Sequence, residues 1–132
     1  MDKKVLIIDD DEELCMELKE ILNDEGFRVR VAFNGTMGRG LIEEDRYEVI
    51  ILDLKLPGMS GIDILKMVRK KDVHQKILVF SGKPLGEELS SLPNAEHEST
   101  KIIMKMADAV LNKPVAVEVL LSKVKELAAL SS

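Results

Sequence analysis

The sequence predicts an α/β domain: a doubly wound, five-stranded parallel sheet with helices on both faces, in a three-layer sandwich. Strand-like and helix-like segments alternate five times along the 132 residues, which is typical of this class. Two segments, Val5–Ile8 and Val49–Leu52, are unbroken apolar runs, as in strands buried on both faces. Acidic residues follow both runs directly, and open parallel sheets bind their ligands at that carboxyl edge.

The amino-terminal segment predicts a buried strand, Lys4–Ile8, followed by a helix. One of the aspartates 9–11 can cap this helix, and Gly26 is expected to end it. We interpret Cys15, beside the apolar stripe, as a small packing residue. The stripe itself recurs at helical spacing and comprises Leu14, Leu18, Ile21 and Leu22.

The next segment predicts an edge strand and a weaker helix. Arg28–Ala32 alternates polar and apolar residues, a pattern that favours a half-exposed strand at a sheet edge. After a turn, Thr36 is the expected cap of a helix that continues to about Asp45. Gly38 and Gly40 lower the helix propensity of this segment more than that of any other.

The central strand, Val49–Leu52, ends at Asp53, and a third helix opens at Ser60 or Gly61. This helix closes on the basic triplet 69–71, which we interpret as a solvated carboxyl terminus that interacts with the helix dipole. Its predicted apolar stripe comprises Ile62, Leu65, Met67 and Val68.

The second half of the chain predicts two more strands. Lys76–Phe80 forms the fourth and ends at Ser81, and Ala109–Leu111 forms a short fifth. Between them, Lys83–Thr100 has the composition of a loop, and Lys101–Ala107 can form a short helix. A last helix carries an apolar stripe of Val117, Leu120, Leu121, Val124, Leu127 and Ala128.

Length and composition indicate one domain, residues 1–132. The net charge is -5 and no dense basic patch is present, so we expect no direct binding of nucleic acid. No apolar run approaches the length of a membrane span, so no membrane association is expected. The one cysteine excludes an internal disulfide and fits a reducing cytosol, which predicts a cytoplasmic protein.

The strand order 2-1-3-4-5 places the two weakest strands at the sheet edges and strands 1 and 3 side by side at the switch point. Asp9, Asp10 and Asp53 then share one crevice, with Ser81 and Lys113 at the same edge. Crowded carboxylates repel one another, and Mg²⁺ is the simplest compensation. Acids, a hydroxyl and an ammonium around a metal are suited to phosphoryl transfer onto a carboxylate.

The chain resembles the receiver domain of two-component response regulators, the CheY-like members of the flavodoxin-like fold. The resemblance covers essentially the whole chain, and its motifs stand in family order. They are Ile7-Ile8-Asp9-Asp10, Ile51-Leu52-Asp53, Leu56-Pro57-Gly58-Met59-Ser60-Gly61, Val79-Phe80-Ser81-Gly82 and Lys113-Pro114.

This resemblance implies roles for the acids of the crevice. Asp53 corresponds to the phosphoacceptor of the family. Asp10 and Asp53 would bind Mg²⁺ directly, and Asp9 would bind it mostly through water. The backbone carbonyl of Lys55 would complete the protein ligands.

The resemblance also implies how the bound phosphoryl group is held and used. Ser81 stands at the position of the switch hydroxyl, and Lys113 stands at that of the phosphate-binding lysine. The bond that corresponds to Lys113-Pro114 is cis in similar proteins, which would aim the lysine. A sensor histidine kinase or phosphotransfer protein would supply the phosphoryl group. The domain would hydrolyse it unaided, catalyse nothing else, and act on a downstream target protein or on an effector domain of a longer regulator.

Three features depart from the family pattern. Val110 stands where an aromatic switch residue is usual, Met106 stands where a glycine usually ends the fourth helix, and the loop 83–100 is longer than usual. A receiver-like interaction module that signals without phosphorylation is therefore the alternative function. A haloacid dehalogenase-type phosphatase is disfavoured because Lys55 replaces its general acid, and a flavin carrier because Asp9–Asp11 would repel a phosphate.

Overall fold

The computed structural model describes residues 3–82, 101–103 and 105–130. The predicted loop Lys83–Thr100 lies outside this part of the chain. The strands are β1 (Lys4–Ile8), β2 (Arg28–Ala32), β3 (Val49–Leu52), β4 (Lys76–Ser81) and β5 (Ala109–Asn112). The helices are α1 (Glu12–Asp24), α2 (Gly35–Glu44), α3 (Gly61–Lys71), α4 (helical residues 101–103 and 105–106) and α5 (Val117–Leu130).

All five strands form one parallel sheet in the order β2-β1-β3-β4-β5, as predicted. The alternating strand β2 lies at one edge and the short strand β5 at the other. Ile8 pairs with Leu52 at the ends of β1 and β3, and the Asp53 amide continues the ladder by donating to the Ile8 carbonyl at 2.9 Å. The last residues of β1 and β3 are thereby aligned at the switch point of the sheet.

The core has one apolar layer on each face of the sheet. One layer joins β1, β3 and β4 to α1 and α5, and it includes Cys15, Phe80 and Val124. The other layer joins the same strands to α2, α3 and α4, and it includes Ile64 and Ile103. Because β1, β3 and β4 are covered on both faces, their backbones are the most rigid support that the fold offers to residues at their ends. Within the described residues, no helix is long and apolar enough to cross a membrane.

Local signals placed the caps of α1 and α3 correctly, but they misplaced the cap of α2 and part of the buried face of α3. Asp11 caps α1 and Ser60 caps α3. The cap of α2 is Asn34, whose side chain accepts from the Met37 amide at 2.7 Å, so the prediction of Thr36 was wrong by two positions. In α3 the buried apolar residues are Ile64, Leu65 and Val68, while the predicted Ile62 and Met67 only pack against the cluster.

The glycines of α2 allow this helix to approach its neighbours closely. A Cβ atom on Gly38 would lie 2.8 Å from Cδ1 of Ile8 in β1. A Cβ on Gly35 would lie 1.7 Å from the carbonyl oxygen of Met59, in the loop after β3, and the Gly35 amide donates to the Pro57 carbonyl at 3.0 Å. Gly35 and Gly38 therefore lower the helix propensity of α2 but allow two close contacts, one with the loop that follows Asp53 and one with the sheet.

Two glycines of α2 provide a matched test of this contact. Gly35→Ala must displace the backbone of Met59, and we expect it to lower the free energy of unfolding by about 1–3 kcal/mol. Gly40→Ala meets nothing within 4 Å, and it should raise the free energy by about 0.5–1 kcal/mol through helix propensity alone. Urea unfolding of both variants measures the two effects, and equal responses would contradict the close approach.

Arg69 differs from the solvated helix terminus that the sequence predicted. Its Nε donates to the Met106 carbonyl at 2.7 Å and its Nη1 to the Gln75 carbonyl at 2.5 Å. Its Nη2 pairs with Oδ2 of Asp108 at 2.8 Å, and only 14% of the side chain is exposed. The same Asp108 oxygen accepts from the Ile77 amide. Arg69 thus ties the end of α3 to the end of α4 and to the start of β4.

Neighbouring basic residues of α3 allow this tie to be tested. Arg69→Met leaves the Asp108 carboxylate and the Met106 carbonyl without their donor, so we expect a loss of about 2 kcal/mol in the free energy of unfolding. Lys70→Met, one exposed position further along, should change it by about 0.5 kcal/mol at most. Chemical denaturation measures the free energy of unfolding of both variants. An Arg69→Met variant as stable as the wild type would refute the structural role of Arg69.

Candidate functional site

Three aspartates meet at the carboxyl edge of the sheet. Asp9 and Asp10 follow β1, and Asp53 follows β3. Their carboxylate oxygens lie within 4.8 Å of one another. Asp9 and Asp53 are buried, at 3% and 6% exposure, whereas Asp10 is exposed. The three acids therefore share one crevice, as the strand order predicted, and the structure places two of them in its floor and one at its mouth.

Lys113 brings the opposing charge from the far end of β5. Its Nζ lies 2.6 Å from Oδ2 of Asp9 and 3.6 Å from Oδ2 of Asp53. Its amide donates to the carbonyl of Ser81 at 2.7 Å, which joins the residue after β5 to the end of β4. Ser81 is itself buried. The bond between Lys113 and Pro114 is cis, as the family resemblance implied.

Protein donors already occupy much of the Asp9 carboxylate. Its Oδ1 accepts from the Asp11 amide at 3.0 Å, while Oδ2 accepts from the ammonium of Lys113. Asp53 accepts from the Lys55 amide at 3.3 Å through Oδ1. Asp9 is thus the more fully satisfied of the two buried acids, which leaves Asp53 better able to accept a new bonding partner.

The loop after Asp53 is held by close backbone contacts. A Cβ on Gly61 would lie 2.4 Å from the Asp53 carbonyl oxygen, and one on Gly58 would lie 2.9 Å from Oγ1 of Thr36. Gly58 also has a φ of 79°, a conformation that favours glycine. This loop contains Lys55, whose backbone carbonyl the family resemblance implied as a metal ligand.

Burial and charge perturb the titration of the site. Burial raises the pKa of Asp53 above its usual value, the nearby charge of Asp9 raises it further, and Lys113 opposes both. Burial alone would lower the pKa of Lys113, but the hydrogen bond and charge of Asp9 outweigh it, so that pKa is raised. Burial, followed by the charge of Asp9, raises the pKa of the Cys15 thiol to about 12, which makes it inert.

The donor set of the crevice suits a hard divalent cation. Within the described part of the chain, three carboxylates face a single ammonium in the cluster, so negative charge remains uncompensated there. Mg²⁺ binds through one or two carboxylates and retains water, and an exposed Asp10 beside a buried Asp53 satisfies that requirement.

One residue near the site escaped the sequence analysis. The ring centroid of Phe80 lies 5.2 Å from the Nζ of Lys113. The sequence places Phe80 at the end of a predicted buried strand and within the motif Val79-Phe80-Ser81-Gly82, and it assigned no role to the ring. No local pattern in the sequence distinguishes an aromatic that packs in the core from one whose ring also faces a distant ammonium.

Comparison with known proteins agrees with this geometry. The chain matches the response regulator receiver domain family over residues 5–125, and it belongs to that family. It is 33% identical over 81 residues to sporulation initiation phosphotransferase F of Bacillus subtilis, covering 61% of this chain and 65% of the relative. It is 30% identical over 121 residues to the uncharacterized transcriptional regulatory protein YkoG of the same bacterium, covering 92% and 49%. The matches span less than two thirds of either relative.

Solved structures share the complete architecture. A CheY-like receiver domain protein from Methanospirillum hungatei superposes with a TM-score of 0.86 at 29% identity, covering 99% of this chain and 97% of that one. The response regulator TrrA from Thermotoga maritima, solved in complex with Mg²⁺-BeF, gives a TM-score of 0.75 at 30% identity, covering 95% and 98%. The chain is therefore a receiver domain of the two-component response regulator type.

The raised pKa of Asp53 predicts a pH-dependent cost in stability. Its folded pKa lies above its unfolded pKa of about 3.9, so ionisation opposes folding at neutral pH and the opposition disappears as the pH falls through that window. In the presence of a metal chelator, Asp53→Asn should raise the free energy of unfolding at pH 7 by on the order of 1 kcal/mol. The gain should shrink towards pH 4.

Urea unfolding at a series of pH values measures this effect. The 2.6 Å pairing of Lys113 with Asp9 does not involve the Asp53 side chain, so we expect the variant to retain this salt bridge. Asp24→Asn, at an exposed helix end, is the matched control and should change stability by only a few tenths of a kcal/mol, on the order of other surface substitutions. Asp53→Asn being less stable than the wild type at pH 7 would contradict the prediction.

Proposed function

We propose that this receiver domain is a phosphoacceptor that takes a phosphoryl group onto Asp53 in the presence of Mg²⁺. The observation that carries the proposal is the cluster itself: three carboxylates within 4.8 Å of one another beside one ammonium. Such a site can hold a cation and an anionic phosphoryl group together. An aspartate that only caps a helix, or a pair of acids on the surface, does not require this arrangement.

In the proposed reaction, an Asp53 carboxylate oxygen attacks the phosphorus of a phosphohistidine. A new oxygen–phosphorus bond forms, the nitrogen–phosphorus bond breaks, and the imidazole leaves with that electron pair and takes up a proton. Burial of Asp53 leaves the attacking carboxylate with little bound water, so less water must be displaced before it attacks the phosphorus. Transfer of the phosphoryl group from Asp53 to water would return the free carboxylate.

Asp10, Asp53 and the carbonyl of Lys55 would hold the Mg²⁺, and Asp9 would contact it through water. When bound, the ion supplies neutralisation of charge on the transferring phosphoryl group. The exposure of Asp10 at the mouth of the crevice supports a ligand that exchanges with solvent. The two protein donors on Asp9 support its indirect role.

Lys113 and Ser81 would bind the phosphoryl oxygens. The Lys113 ammonium lies 3.6 Å from Oδ2 of Asp53, so it is placed to pair with a group added to that carboxylate. Ser81 ends β4 at the same edge, where its hydroxyl would report the phosphoryl group by moving towards it. In the proposed switch, that movement changes the conformation of the surface that a partner recognises.

The proposed donor is a sensor histidine kinase or a phosphotransfer protein in the cytoplasm. The proposed recipient of the signal is a separate target protein or an effector domain of a longer regulator. Relatives such as the transcriptional regulatory protein YkoG extend well beyond the matched region, which supports the second possibility. Val110 in place of an aromatic supports the alternative of an interaction module that signals without phosphorylation.

A phosphorylation assay with acetyl phosphate separates these functions. We expect Mg²⁺-dependent incorporation of one phosphoryl group into the wild type and none into Asp53→Asn, because the nucleophile is lost. Asp10→Asn should weaken Mg²⁺ binding about tenfold or more, since a direct ligand is lost. Asp63→Asn, an exposed acid of α3, is the control for both measurements.

Intact-protein mass spectrometry measures the incorporation, and calorimetric titration measures Mg²⁺ affinity. Labelling of Asp53→Asn equal to that of the wild type would place the nucleophile elsewhere. Mg²⁺ binding without any labelling of the wild type would favour the interaction module.

A further inference from the structure

Phe80 lies beneath the ammonium of Lys113. The 5.2 Å separation between Nζ and the ring centroid is within the range in which an aromatic ring attracts a cation. The ring is only 4% exposed, and about a quarter of the Lys113 side chain is accessible, at 24%. The attraction is therefore less weakened by water than it would be at an open surface.

Phe80 is a rigid support. It pairs with Leu111 in the β4–β5 ladder, and its side chain belongs to the buried cluster that also contains Cys15 of α1 and Val124 of α5. The next residue, Ser81, accepts the backbone amide of Lys113. Two consecutive residues of β4 thus contact both ends of the lysine: Ser81 at the backbone and Phe80 at the ammonium.

The lysine needs such support because its side chain is long and flexible. Four rotatable bonds separate the backbone from Nζ, and ordering them opposes any fixed position. Asp9 holds the ammonium at 2.6 Å, but Asp53 at 3.6 Å attracts it as well. A phosphoryl group on Asp53 would replace the charge of the carboxylate with charge on the phosphoryl oxygens. The two carboxylates alone therefore do not hold the ammonium at one position during transfer.

We infer that Phe80 is a positioning residue for the phosphoryl transfer, holding the Lys113 ammonium over its ring and so at a constant place beside Asp53. This inference rests on the proposed function of Asp53 and Lys113. In this role, Phe80 acts on the phosphoryl transfer through the lysine alone. Its effect should therefore vanish when the lysine is absent.

The test compares rates of phosphorylation by acetyl phosphate at saturating Mg²⁺. Phe80→Leu and Phe80→Met remove the ring face but retain an apolar side chain, and each should slow phosphorylation about two- to tenfold, the size of a cation–π contact at a partly buried site. Phe27→Leu, which alters an aromatic packed against the same cluster at the opposite end of the sheet, should leave the rate unchanged.

A double-mutant cycle distinguishes positioning from packing. In a Lys113→Ala background, Phe80→Leu should cause no further loss of rate. A loss as large as in the wild-type background would overturn the inference, because Phe80 would then act independently of the lysine. Equal rates for Phe80→Leu and the wild type would overturn it too. Should Phe80→Leu fail to fold, Phe80→Met carries the same comparison.

An NMR measurement tests the contact without any phosphorylation. The ε-methylene protons of Lys113 in the wild type should be shifted upfield by the Phe80 ring current, and they should return towards ordinary lysine values in Phe80→Met. Unshifted protons in the wild type would refute the contact. A wild-type protein that shows the shift but takes up no phosphoryl group would refute the proposed function, whereas a labelled protein without the shift would refute only the role of Phe80.

Discussion

The structure depends on the balance of charge at the ends of β1 and β3. Asp9 and Asp53 are buried beside each other, and their mutual repulsion and poor solvation would oppose folding without a counter-charge. Lys113 supplies one positive charge, held closer to Asp9 than to Asp53. Among the described residues, one ammonium faces three carboxylates, so negative charge remains uncompensated, which suits the proposed binding of a divalent cation.

The rest of the fold keeps these charges from separating. Apolar layers on both faces immobilise the three central strands, so the residues at their ends cannot move apart to relieve repulsion. Glycines at positions 35, 58 and 61 bring the loop after Asp53 against α2 and against the Asp53 backbone. Gly35 lowers the helix propensity of α2, but it allows this close contact, which supports the site.

A second polar network lies away from the crevice and connects α3 to the end of α4. Arg69 donates to the carbonyl of Met106 and pairs with Asp108, where the family usually has a glycine to end the fourth helix. An arginine from α3 therefore satisfies a carbonyl at the end of α4. The departure at Met106 is compensated by a contact from another helix, which explains how α4 can end without a glycine stop.

Local patterns in the sequence located the strands and narrowed the helix starts to the aspartates 9–11 and to Ser60 or Gly61, because strand periodicity and strand ends are local properties. The strand order of the doubly wound class then predicted that Asp9, Asp10 and Asp53 meet. Only the tertiary structure decided which atoms pair. The ammonium of Lys113 reaches Asp9 across 104 positions of sequence, Phe80 lies under it, and Arg69 turns inward to Asp108. Such choices depend on distances between side chains from separate strands and helices, which hydrophobic periodicity does not encode.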